Sequence, residues 1–454
     1  MKKCQLVLFT LLGIILVSCQ TDSEKADHFR LENKFAEAAE LYKKAAAEGD
    51  AYAKWRLFKA YSNGDGVDYD ERTSLELLKQ AAAEGCEEAK CDLAFAYMFD
   101  WYDIGKDEDK GKSMLEELVK KTDKAYIQSR YAALLFSGGG PYEENKEKAQ
   151  FVFENIKDKN NPEYLYQMGN VYLKGSDNID INIEKAIDYF SKGFERGRRY
   201  GAYLIQSLYA SGYGDLKSDK KKRIEWLNRG IHSNETNCMV DMAGIYLSED
   251  STLQDIHNPQ KGIELYKKAA RHGNGKAYFA LGNIYNDGEF VSKDDNKAFD
   301  YWKKAAALKD HFGAANLGYA YINGIGCAKD VKKGIEVWKQ AVEYGSGYAA
   351  NNLFRCYSSG EYGEKDKALA KKYLIKAAEL NDAWGCLNLG TQYYLGNYLM
   401  EKSYGQAFVY VKKAADMGLI DACNVLAYFY ENGIGCDKNP QKAKEYKDRT
   451  VVKD

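Results

Sequence analysis

Residues 311–345, HFGAANLGYAYINGIGCAKDVKKGIEVWKQAVEYG, read as helix, glycine turn, helix. In the first half Ala314, Leu317, Gly318 and Tyr321 recur at helical spacing and make one apolar stripe, with small residues beside it that let a second helix approach. Asn323-Gly324-Ile325-Gly326 then supplies two glycines able to take positive φ, which stops the helix and reverses the chain. From Lys332 to Tyr344 the helical period resumes, with Ile335, Trp338, Ala341 and Val342 on one face and Lys333, Glu336 and Lys339 on another. Gly345 closes the unit.

The same unit recurs on both sides. Tyr285, Tyr321, Tyr357 and Tyr393 follow one another at intervals of 36 residues. Upstream the slot holds Tyr61, Tyr97, Leu135, Tyr172, Tyr209 and Tyr246, and downstream Tyr430, so eleven copies are countable from the hairpin at Ala51. The second helix repeats as well: AAAEG at Ala45 to Gly49 returns at Ala81 to Gly85, and Lys-Lys-Ala-Ala starts at Lys267, Lys303 and Lys412. The intervals drift by a few residues, and the drift falls in the turns. A period of this length with two helices per copy predicts an all-α solenoid, since each hairpin buries its apolar face only against its neighbours. A lone helix from about Phe29 to Glu48 is expected to precede the first hairpin.

The pattern Ala-x-x-x-Leu-Gly-x-x-Tyr-x-x-Gly-x-Gly, followed by Lys-Ala-x-x-x-Trp/Tyr-x-Lys-Ala-Ala, resembles the Sel-one-like repeats, a branch of the tetratricopeptide-like helical repeats. The match is strongest from Gly275 to Gly345 and from Leu426 to Gly435. It is weakest at Glu87 to Asp123 and Thr236 to Asn274, where the Gly-x-Gly turn is missing. The resemblance implies a right-handed α/α superhelical solenoid over residues 29–450, with capping helices at 29–50 and 436–450. It also implies a protein- or peptide-binding scaffold that works through its concave face and is not an enzyme. Two other readings were weighed: a hydrolase or penicillin-binding relative, and an accessory protein for carbohydrate uptake.

The N-terminus carries an address. Lys2 and Lys3 precede an apolar run from Leu6 to Val17, long enough for a signal-peptide core and too short for a membrane span. It ends in Leu16-Val17-Ser18-Cys19, which resembles a bacterial lipobox: residues 1–18 would be removed and Cys19 lipidated. Acyl chains contribute roughly 0.8 kcal/mol per buried methylene, so two or more anchor stably. Residues 19–28 are polar and unpatterned and are expected to form a tether. Gln20, where many inner-membrane lipoproteins carry aspartate, points to the outer membrane. The expected location is therefore the cell envelope, with contact to the membrane only through lipid.

Charge and cysteines exclude several classes. Lysine plus arginine total 65 and aspartate plus glutamate 67, a net charge of −2, or −4 once Lys2 and Lys3 leave with the signal. That balance gives no electrostatic case for nucleic acid. Some secreted relatives stitch their repeats with disulfides, which the resemblance would place between Cys386 or Cys423 and residues 378 or 415. Here those partners are Ala378 and Ala415, so the stitch is absent, and with it the main reason to expect a penicillin-binding activity. Cys86 and Cys91, five apart across a helix start, are candidates for a bond that depends on their geometry. Cys327 and Cys436, in equivalent turns, read as buried thiols.

Signatures of chemistry are sparse. Gly111-Lys112-Ser113 ends like a phosphate loop, but Lys106 stands where that motif needs glycine, so the segment reads as the start of a second helix. The five histidines form no His-x-x-x-His pair, and no metal or cofactor is expected. Asn63-Gly64-Asp65-Gly66-Val67-Asp68 lacks the ligand pattern of a calcium loop and reads as a solvated turn. No Gly-x-Ser-x-Gly elbow is present. The best candidate contacts are Asn316, Asn352 and Asn388, one residue before the Leu slot and 36 apart, a ladder of amides able to bond a peptide backbone. Trp302 and Trp338, with Tyr42, Phe153, Phe190 and Tyr266, occupy a second-helix slot and read as core between repeats.

Overall fold

The computed structural model describes residues 20–450 except 177, 250–254, 361, 364, 397 and 398. Among them lie twenty-four α-helices, one short 3-10 turn and no strand. They form eleven hairpins, from Ala51–Asn63 with Glu71–Ala83 to Ile420–Asn432 with Pro440–Asp448, so the expected all-α solenoid is what the chain adopts.

A twelfth pair stands before these. Residues 22–28, expected within a tether, belong to the helix Asp22–Leu31, and the expected lone helix is the pair Asp22–Leu31 and Phe35–Ala47. Thr21 starts the first of them with a capping box: its hydroxyl accepts from the Glu24 amide while the Glu24 carboxylate accepts from the Thr21 amide. Ser23 and Ala26 are buried on this helix.

One device closes every hairpin. The residue that caps the second helix donates its backbone N–H to the carbonyl of the Tyr slot, from Asp70 to Tyr61 through to Asn439 to Tyr430, at 2.6–3.1 Å in all eleven hairpins. The same residue is Asp, Asn or Ser, and its side chain accepts the N–H three residues on, as Asp330 does from Lys333 at 3.0 Å. The connection is free to vary between its pinned ends: nine residues separate Tyr61 from Asp70 and twelve separate Tyr246 from Asn258. Each cap contributes about 1 kcal/mol. Above it, in five of the hairpins, the Tyr slot stacks on a second-helix tyrosine, with ring centroids 5.6 Å apart for Tyr285 and Tyr301 and 5.9 Å for Tyr393 and Tyr410. Many of the 37 tyrosines are consumed in this way.

The glycines do more than turn the chain. Gly326 has φ +63°, and a Cβ there would stand 2.0 Å from the Asp295 carbonyl of the preceding second helix. Gly435 makes the same approach to Tyr404, and Gly66 to Phe35. Inside the first helices, a Cβ on Gly282 or Gly318 would meet Trp302 or Trp338 at 2.4 Å, which is why Leu-Gly pairs face indoles. Trp302 and Trp338 are buried core, as expected.

The described residues group into two compact units, 1–273 and 274–454, where the repeat pattern alone predicts a single array. In the first unit the packing is not limited to neighbours. Arg199 clamps Asp65 with two bonds of 2.8 Å, donates to the Ser233 carbonyl and lies over the Phe35 ring. His272 Nδ1 donates to the Asn63 carbonyl at 2.9 Å, and Tyr69 packs on Gly273. The first hairpin's turn is thus held by residues from 134 to 209 positions further on. Asp65 is accordingly held half-buried against a guanidinium, while Gly66 and Asp68 stay exposed, so the Asn63–Asp68 turn is solvated only in part.

Replacing Gly326 with alanine is expected to lower stability by about 2–4 kcal/mol, from strain at positive φ plus overpacking. Gly345, at φ +100° with nothing within 4 Å, should lose only the strain part, about 1–2 kcal/mol. Equal shifts of the two urea midpoints would refute the close-approach role.

Candidate functional site

First helices of several neighbouring pairs touch one another, as Gly275–Asp287 touches His311–Asn323 and Gly347–Ser359 touches Ala383–Leu395, whereas His311–Asn323 and Gly347–Ser359 make at most marginal contact. Second helices of neighbouring pairs make at most marginal contact. The first helices therefore form the more closely packed face of each unit. In the second unit they present a stripe. Phe312, Tyr348 and Trp384 recur at 36-residue intervals and are 43–47% exposed, and Tyr319 and Leu395 extend the apolar surface.

Asn316, Asn352 and Asn388 sit one helical turn after Phe312, Tyr348 and Trp384, on the same face. Asn316 donates to the Asn283 side chain at 2.9 Å, and Asn283 also accepts from Trp302. Asn388 donates to Asn351 at 2.9 Å. Asn352 lies between these linked amides, 9% exposed, with its Nδ2 buried and without a hydrogen-bond partner. Leaving such a donor unsatisfied costs about 1–3 kcal/mol. The three asparagines are thus brought to one face, two of them tied to neighbours and the central one not. The exposed aromatics went unrecognised in the sequence although their signal was present: they share the period of 36 and precede the asparagines by four residues.

The Sel1 repeat signature matches residues 31–50, 51–86, 162–197, 237–274, 275–310, 311–345, 347–382, 385–419 and 420–446, more than half of the chain. The chain belongs to the Sel1 repeat family. Of the two stretches expected to match weakly, Glu87–Asp123 falls outside the matched residues, whereas 237–274 is matched despite its missing Gly-x-Gly turn. Among solved structures, this Sel1 repeat protein is similar to a protective antigen of uropathogenic Escherichia coli strains that displays an SLR fold, at 23% identity, 90% of this chain and 86% of that one covered, and TM-score 0.43. It is also similar to a Sel1 repeat protein from Oxalobacter formigenes, at 27% identity, 55% and 98% covered and TM-score 0.46. Cysteine rich protein B of Helicobacter pylori aligns at 30% identity over 31% of this chain and all of its own, with TM-score 0.25. No curated protein matches the chain.

The eight described cysteines of this Sel1 repeat chain are free thiols, Cys86 and Cys91 included. Cys386 and Cys423 point at the slots where a stitch would end, their Sγ 3.8 and 3.9 Å from the Ala378 and Ala415 carbonyls. Cys327 and Cys436 are half-buried. Burial pushes the Cys86 and Cys91 thiols up to about 12, which disfavours the thiolate a nucleophile needs. Gly111 lies within the helix Glu108–Lys121, packed on Ala94 and Met98, as a second-helix residue would be.

At the register of Asn316, Asn352 and Asn388, the first three hairpins of the first unit carry charge. Arg56, Asp92 and Arg130 stand in the first three successive hairpins, and Asp92 is the hub: it accepts from Trp55 at 2.7 Å, Tyr126 at 2.8 Å, Lys59 at 2.9 Å and Arg130. Arg56 bonds Asp27 of the N-terminal helix at 2.9 Å, and Tyr42 and Tyr52 share that carboxylate. Burial alone would raise the Asp92 carboxyl, but Lys59 and Arg130 outweigh it and hold it at about 2. Its contribution, roughly 2 kcal/mol, is complete above the unfolded carboxylate value near 4 and is lost as the pH falls to about 2. D92N should cost about 3–5 kcal/mol at neutral pH by leaving Lys59 and Arg130 unpaired. The gap between wild type and D92N in urea midpoint should narrow from pH 5 to pH 2; a constant gap would mean that Asp92 does not titrate there.

Proposed function

We propose that this Sel1 repeat protein is a non-catalytic scaffold that holds a peptide or protein segment along the first-helix face of its second unit. The observation that carries the reading is the Asn352 amide, unpartnered at the centre of a face whose neighbours are exposed Tyr348, Phe312 and Trp384. An extended peptide supplies the carbonyl that this donor lacks and side chains for the aromatics, which is the chemistry of backbone-read peptide grooves. In the first three hairpins the equivalent register is already occupied by the chain's own ion pairs, so they serve as support. A neutral glycan chain is the second reading, favoured by the exposed aromatic rings.

The same proposal places the scaffold in the bacterial envelope, held by lipid on Cys19, most consistently at the outer membrane. Cys19 lies outside the described residues, so its support is the sequence alone: the charged start, the short apolar run and the small residue before the cysteine. Among the described residues no helix is long and apolar enough to cross a membrane.

Two experiments bear on this. Cells fed radiolabelled palmitate should label the wild-type chain and not the Cys19→Ser variant; an unlabelled wild type removes the anchor. For the face, in-cell cross-linking followed by purification should recover a discrete partner. That recovery should fall about tenfold in a Tyr348→Ala, Trp384→Ala double variant, as loss of two aromatic anchors implies. Substituting Val409, exposed on a second helix, should leave it unchanged. Equal recovery from all three proteins would rule out the first-helix face.

A further inference from the structure

The peptide reading can be sharpened, because the face has a charge and a pitch of its own. Across the helices His311–Asn323, Gly347–Ser359 and Ala383–Leu395, the exposed positions comprise the five apolar residues already named, two neutral polar ones, Asn323 and Ser359, and Arg355. Arg355 alone among them is ionised. It lies on the central helix, seven residues after Tyr348 and three after Asn352, so the guanidinium extends the same stripe. The second unit's other arginine, Arg449, is paired with Glu445 at 2.6 Å. Arg355 has no ion-pair partner among the described residues.

The pitch comes from the repeat. Packed helices stand about 8–10 Å apart, so Tyr348 and Trp384, on first helices that touch, form shelves at roughly that spacing. A β-strand rises about 3.3 Å per residue and turns alternate side chains to opposite faces, so residues three apart do not share a face. A polyproline-II chain has three residues per turn and rises about 3.1 Å per residue, so every third side chain returns to one face after about 9 Å. It also leaves all its carbonyls without internal partners, free to accept from an amide such as Asn352 Nδ2.

We infer that the segment held on this face is a polyproline-II-like peptide with an apolar side chain at every third position and a carboxylate between two of them, paired with Arg355. This rests on the peptide reading above. It adds the partner's conformation and charge. Arg355 favours a carboxylate because its planar fork can take two parallel bonds, and an arginine with no ion-pair partner among the described residues selects against a cationic segment.

The test uses the full chain, immobilised, and pools of acetylated, amidated decapeptides. Each pool carries Leu or Phe at every third position, a central position fixed as Glu, Gln or Lys, and Ala, Pro or Ser elsewhere; retained peptides are counted by mass spectrometry. The Glu pool should be retained about tenfold over the Lys pool, the effect of one charge-assisted contact. R355E should reverse that order, with its helical circular dichroism unchanged because the position is exposed. Equal retention of the Glu, Gln and Lys pools, or an order untouched by R355E, overturns the charge assignment and leaves the peptide reading standing. Stronger retention of a pool with apolar residues at every second position overturns the polyproline-II pitch. Retention of no pool, or of cellohexaose in place of any peptide and indifferent to R355E, overturns the peptide reading and this inference together.

Discussion

The structure depends on a hydrogen bond that the chain repeats eleven times, from the backbone N–H of each second helix's cap to the carbonyl of the Tyr slot. It satisfies a carbonyl that a helix end would otherwise leave orphaned, and its donor's side chain satisfies an orphaned N–H of the next helix. Two helices are thereby locked at a fixed offset whatever the turn between them contains. This is why Gly-x-Gly in one hairpin can give way to the bridged turn at Gly139 and Tyr142 in another without disturbing the array. The Tyr slot, its stacked tyrosine and the close glycines all follow from that offset.

Because the offset is constant, one register runs through both units and is put to different uses. In the first unit it carries Arg56, Asp92 and Arg130, whose charges are spent on one another and on Asp27. In the second it carries Asn316, Asn352 and Asn388 beneath exposed rings. A buried ion-pair network resists loss of either partner yet offers little to a ligand. Neutral amides and aromatics are easily desolvated and do offer something. In the proposed function the division between support and binding surface is written in side chains, on a backbone that hardly changes.

What could be read in advance was whatever recurs. The Tyr slot, the glycine turn, the second-helix aromatics and the amide ladder all announce themselves by spacing, and the helices lie where that spacing puts them. The helix at Asp22–Leu31 was missed because its polar sequence has no apolar stripe, although Thr21-x-x-Glu24 is a capping box in plain view. Phe312, Tyr348 and Trp384 share the period of the buried second-helix aromatics, and spacing alone does not separate an exposed ring from a core one. The Asp65 and Arg199 pair could not have been found by period at all: it joins unlike positions of non-adjacent repeats. Nor does any motif reveal that Gly326 is required by a neighbour's carbonyl as well as by its own φ.

That long-range clasp changes how the first unit can be made. A plain solenoid adds hairpins as they are synthesised, each resting on the last. Here the opening hairpin keeps an incomplete edge until Arg199 and then His272 arrive, so the earliest residues are among the last to be finished. Loop closure over such separations is slow compared with zipping neighbours together. The N-terminal unit should thus behave as one cooperative block with a late locking step, a holdfast that sets only after most of its length exists.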